Sequence, residues 1–117
     1  MATNATRVVT IVYSGDVNGS ESLAAAANAV SPGSVTIHSL ALGDNTITVP
    51  TGGSTVKGAT IVPPSGNAQT ITLKGVGGDT GIALSKLDPA SISFETAPAN
   101  FVLNAGGTIN GLRIFWT

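Results

Sequence analysis

Short runs of β-branched and aromatic residues, each cut off by glycine, proline, asparagine or aspartate, recur along the whole chain and direct it towards a β fold. Side chains alternate at a period of two along an extended segment, so residues 8–13 put Val9, Ile11 and Tyr13 on one face. Residues 34–40 alternate as well, with Val35 and Ile37 opposite Thr36 and His38. Further strands are expected at 46–49, 59–62, 70–74, 82–84, 91–94, 101–103 and 112–116. Pro63-Pro64 stops one of them, because proline has no N–H to give to a ladder. Gly43-Asp44-Asn45 and Ser65-Gly66-Asn67 carry turn chemistry. About nine short strands, spaced about 8–12 residues apart, point to a sandwich or barrel. None of the connections clearly holds a crossover helix, which favours antiparallel pairing. The expected fold is all-β, an antiparallel two-sheet sandwich, jelly-roll-like. An immunoglobulin-like sandwich comes second, since the tryptophan and cysteine landmarks of that domain are missing.

Residues 21–29 resist this pattern. They contain five alanines and one leucine, Ser20 is placed to cap a helix, and Pro32-Gly33 to end one. The apolar contrast around such a helix is weak and the flanking segments are strands. The stretch is therefore read as extended, with its small residues packed under a neighbouring sheet. A chain of 117 residues fits one domain and buries a core without staples. Residues 1–6, which are polar, read as a flexible N-terminal arm, and residues 7–117 as a single β-sandwich domain.

Charge narrows the function classes. Charged residues make up 9% of the chain, against roughly 25% in an ordinary soluble domain. Net charge is −1 and mean hydropathy is +0.35. The five cations, Arg7, Lys57, Lys74, Lys86 and Arg113, are scattered, whereas nucleic-acid binding needs them clustered, so no nucleic-acid partner is expected. No apolar run reaches about 18 residues, so no membrane span is expected, and the polar start lacks the apolar region of a secretory signal. A near-neutral, apolar-leaning surface tends to associate, which points to a homo-oligomer whose surface is covered by partners.

Motifs that would carry chemistry are sparse. His38 is the sole histidine, and there is no nucleophile elbow to make it a catalytic base; it reads as a surface or interface side chain. With no cysteine, a zinc site lacks ligands. Asp16-Val17-Asn18-Gly19-Ser20 opens like a calcium loop, but the sixth and twelfth places hold Glu21 and Ala27 where glycine and glutamate are needed. Gly75-Val76-Gly77-Gly78 lacks the lysine and following helix of a phosphate loop, so its glycines serve a tight connection. Asp79-Thr80-Gly81 matches the triplet of aspartic proteases, in which two carboxylates share a proton. Here Gly77-Gly78 precede it where that family carries apolar residues, and it lies past the middle of the chain; Asp79 reads as a turn cap. No catalytic, cofactor-binding or metal residue is assigned, and the chain is read as a non-enzyme.

The aromatic residues are few. Phe94 and Phe101 fall in strand patterns and read as core. Phe115 and Trp116 are adjacent, so they point to opposite faces of one strand. One fits the core while the other faces outward as an anchor for a subunit contact; the pair is the expected assembly interface.

Strand-and-turn idioms of one kind recur in residues 40–50 (Leu-Ala-Leu-Gly-Asp-Asn-Thr-Ile-Thr-Val-Pro), 59–64 (Ala-Thr-Ile-Val-Pro-Pro), 71–75 (Ile-Thr-Leu-Lys-Gly), 79–82 (Asp-Thr-Gly-Ile) and 112–116 (Leu-Arg-Ile-Phe-Trp). In these stretches the chain resembles the small virion proteins of tailed bacteriophages. The resemblance implies a β-sandwich subunit of a symmetric virion, as a capsid decoration, a tail component or a fibre-associated piece. It implies other virion proteins as partners, assembly in the host cytoplasm and a place in the virion. It carries over no functional residue.

Overall fold

The computed structural model describes residues 3–16, 19–24, 28–30, 35–50 and 55–117, and every regular element longer than one residue among them is a strand. Eight of the strands build the body: β5 (Val35–Leu40), β6 (Gly43–Thr48), β7 (Gly58–Val62), β8 (Ile71–Lys74), β9 (Ile82–Leu84), β10 (Ala90–Ser93), β11 (Asn100–Ala105) and β12 (Ile109–Trp116). They form two antiparallel four-stranded sheets. One runs β10-β7-β12-β5 and the other β6-β11-β8-β9. The pairing is nested. β5 pairs with β12, β6 with β11, β7 with β10 and β8 with β9, as though one long hairpin had been rolled up. Ladders β12–β7 and β11–β8 then knit the roll into two sheets.

The sheets pack face to face as a sandwich. Leu112, Ile114 and Trp116 of β12 point inward with Ala59 and Ile61 of β7, and meet Ile71, Phe101 and Leu103 from the other sheet. Trp116 of one sheet and Phe101 of the other touch across the interior, with ring centroids 6.0 Å apart and planes tilted by 54°. Each large side chain buried this way is worth roughly 1.5–3 kcal/mol relative to exposure. Partway along β12, the register slips between Asn110 and Leu112, and Gly111 at φ 83° takes up the extra residue. That positive φ suits glycine, and the bulge lets both Ile109 and Leu112 face the core.

Every strand expected in residues 34–116 is present, with ends moved by a few residues. The largest shifts are at β6, which begins at Gly43 rather than Thr46, and β12, which begins at Ile109 rather than Leu112. Asn45 still performs the turn chemistry, but from inside the strand: its side chain accepts from the Ala41 N–H and donates to the Ala41 and Gly43 carbonyls.

Within the first thirty residues the strand expected at 8–13 is present with those bounds, and three further short strands accompany it. Residues expected as a flexible arm supply β1 (Thr3–Ala5), which pairs with β4 (Asn28–Val30). Beyond them β2 (Val8–Tyr13) pairs with β3 (Gly19–Ala24). Residues 1–2 lie outside the described residues. The registers of the two ladders differ by one residue, from Ala5↔Asn28 to Val8↔Ala24. Residues 21–24, 28 and 29 are extended, as the sequence suggests, whereas 25–27 are outside the described set. Residues 21–24 are not tucked beneath a sheet: β3 is exposed along its whole length, and β2 and β3 pack chiefly against each other.

Candidate assembly surfaces

β5 is built inside out. Thr36 and His38 take the half-buried inward positions, while Val35 and Ile37 face solvent, Ile37 with 72% of its surface exposed. The reason lies eighty residues away. Trp116 is completely buried and its indole N–H needs an acceptor, which it finds in Thr36 Oγ1 at 2.9 Å. Thr36 Oγ1 also meets His38 Nε2 at 2.7 Å. Burial depresses the His38 pKa by disfavouring its charged form. His38 is therefore a supporting member of the core boundary, and the expectation of a surface or interface side chain is corrected.

Turning β5 over places an apolar patch on the outer face of its sheet. Phe115 on β12 lies between Val35 on β5 and Thr60 on β7, and Arg113 lies between Ile37 and Val62. The Arg113 guanidinium sits 5.4 Å from the Phe115 ring centroid, a cation–π distance. Of the expected interface pair, Phe115 is on this face and half-buried. Trp116 points the other way into the core with no exposed surface, so one of the adjacent pair is core and the other faces outward, as their adjacency suggests, and Trp116 has no surface to offer a partner.

A second apolar surface is the β2–β3 hairpin. Its twelve residues are all exposed. The register sets Val9 opposite Leu23 and Ile11 opposite Glu21. Val9, Ile11, Tyr13, Leu23 and Glu21 thus share one face. The other face carries Thr10 and Ser22, whose hydroxyls meet at 2.9 Å. The root of the arm is held. Ala5 packs against the core, Asn28 Nδ2 donates to the Thr55 carbonyl at 2.8 Å, and the Arg7 guanidinium donates to the Ile92 carbonyl and Ser93 hydroxyl of β10.

The third feature is a cavity of about 600 Å³ where the free edges of β9 and β10 diverge. Leu73, Ile82, Ile92, Phe94 and Phe101 make it apolar, and Asp79-Thr80-Gly81 lies at its rim. Asp79 Oδ2 accepts the Val76 N–H at 3.0 Å, closing the glycine-rich turn between β8 and β9. Gly81 is required by its backbone: φ is 76°, and a Cβ there would stand 2.5 Å from the Leu73 carbonyl oxygen. Turn geometry thus accounts for both the Asp and the Gly of the triplet.

Sequence reading misses one polar cluster. Asp44 receives Asn104 Nδ2 at 2.7 Å and Lys74 Nζ at 3.2 Å, on the outer face of the β6-β11-β8-β9 sheet. These bonds, with a further one from the Gly78 N–H, lower its pKa. Lys74 and Asn104 stand 30 and 60 positions from Asp44, so only strand pairing brings the three together. Of the calcium-like stretch, Asp16 is exposed, Gly19 and Ser20 open β3, and residues 17–18 lie outside the described residues. Among the described residues no group of three His, Asp or Glu is placed to hold a metal, and no helix is long and apolar enough to cross a membrane.

Comparison with family models, with curated proteins and with solved structures yields no match.

Proposed function

We propose that this chain is a structural subunit of a bacteriophage virion, a capsid decoration or a tail- or fibre-associated protein, which acts by assembling with copies of itself and with other virion proteins. The observation that carries this reading is the β2–β3 hairpin. A two-stranded hairpin alone in water is marginal at best, and this one exposes large apolar side chains along an arm whose root is fixed. Contiguous apolar exposure of this kind marks contact surfaces. The outer face around Phe115 adds a second such surface, and the low charge of the chain leaves little to oppose association.

The nested strand pairing supports reading the sandwich as a jelly roll, an architecture found in viral capsid domains. That analogy concerns the fold; the role rests on the surfaces. A binding module for host recognition is the second reading, and the cavity between β9 and β10 favours it. Its apolar lining suits an apolar protein segment better than a glycan, which calls for exposed aromatic and polar groups.

Purifying the source particle and imaging it tests the proposal. The chain should be found there in fixed stoichiometry, as symmetric density the size of one sandwich. Particles that lack the chain would refute it.

A further inference from the structure

β2 and β3 carry one Lys, Arg, Asp or Glu between them, Glu21. The four strands of the β10-β7-β12-β5 sheet also carry one, Arg113. Each charge sits within an apolar patch. Glu21 has Ile11 directly across the hairpin, with Val9, Leu23 and Tyr13 on the same face. Arg113 has Ile37 and Val62 on either side and Phe115 beside it. The two faces are opposite in charge, alike in apolar composition, and both are sheet surfaces.

We propose that the Glu21 face of the β2–β3 hairpin docks on the Arg113–Phe115 face of a second copy of this chain, as a third layer on its sandwich. The proposal rests on the self-assembly reading above and gives it a specific contact. Sheets stack face to face about 10 Å apart, a spacing that side chains such as Tyr13, Leu23, Ile37 and Phe115 fill. Six residues per strand give a footprint roughly 20 Å long. One such contact is smaller than the roughly 800 Å² per partner of a standard interface. The contact is heterologous, however, so each subunit makes it twice, once giving its hairpin and once receiving one. Contacts of this type close into rings or extend into filaments. Desolvation among apolar neighbours makes the Glu21–Arg113 pairing a strong discriminator of register, because an interface penalises like charges set against each other.

Three variants of the full chain test this, each checked for wild-type circular dichroism and compared by sedimentation velocity over a concentration series. Glu21→Arg and Arg113→Glu should each weaken self-association by at least about tenfold, by setting like charges against each other. The double variant, Glu21→Arg with Arg113→Glu, should regain association to within about threefold of wild type, the residual reflecting loss of the Arg113–Phe115 contact. An associating wild type whose single variants associate equally well, or whose double variant is no better than the singles, overturns this contact and leaves the self-assembly reading standing. A wild type that stays monomeric at all concentrations overturns both.

Discussion

Trp116 shows how one side chain sets the direction of a distant strand. Its indole N–H is buried and must be bonded, and Thr36 supplies the oxygen, so β5 turns its polar positions inward. The adjacency of Phe115 and Trp116 made opposite orientations legible in the sequence. Which of the two enters the core was not legible, because that depends on Thr36 and Phe101, both distant along the chain. The same cluster gives a pH dependence. The folded His38 pKa lies below the ordinary imidazole value of about 6.5, so on acidification the unfolded chain takes up this proton first. The stability His38 contributes is complete above about pH 6.5 and is lost as pH falls through its folded pKa. The thermal midpoint should therefore drop between about pH 7 and pH 5, and His38→Gln should flatten that slope. An unchanged slope in the variant would assign the proton uptake to another group. Asp44, whose pKa is lowered by Asn104 first and Lys74 second, adds its own loss only as pH falls through and below the ordinary carboxylate range.

Among the elements, the strands of the sandwich were readable because their signals are local. Pro63-Pro64 ends β7, Gly81 precedes β9, and alternation marks Ile71 and Leu73 on β8. β3 and β4 read as extended against the propensity of their alanines, but their partners were not legible. Alanine favours helix in isolation, and the pairing of Leu23 with Val9 or Asn28 with Ala5 is invisible until the strands meet. Here β2 and β3 are supported mainly by one another, whereas the sandwich keeps its whole core without them. Replacing residues 8–24 by a short glycine-serine linker should accordingly change the unfolding free energy by no more than about 1 kcal/mol. Denaturant unfolding checks this; a linker variant that fails to fold would make the hairpin part of the core structure rather than an arm.

At the scale of the whole molecule, a closed body carries an open arm. Nested pairing joins strands close in sequence at β8–β9 and strands at opposite ends of the body at β5–β12, and it encloses one continuous apolar core. Among the described residues, no buried side-chain polar atom is without a hydrogen-bond partner. Apolar surface with little charge is gathered on the hairpin and on the Phe115 face, beside scattered exposed side chains such as Leu42, Val76 and Leu87. Composition alone announced that surplus, since so few ionised groups cannot cover a surface of this size. It did not say where the surplus lay, because the location follows from β5 facing the unexpected way and from the hairpin standing clear of the sheets.

If this uncovered surface exists to meet other copies of the chain, the solution mass must depend on concentration. Light scattering of the intact chain across a dilution series should show a mass that climbs from the 11.5 kDa of the monomer to a whole-number multiple of it. A mass fixed at 11.5 kDa at every concentration would show that the hairpin and the Phe115 face do not serve self-assembly.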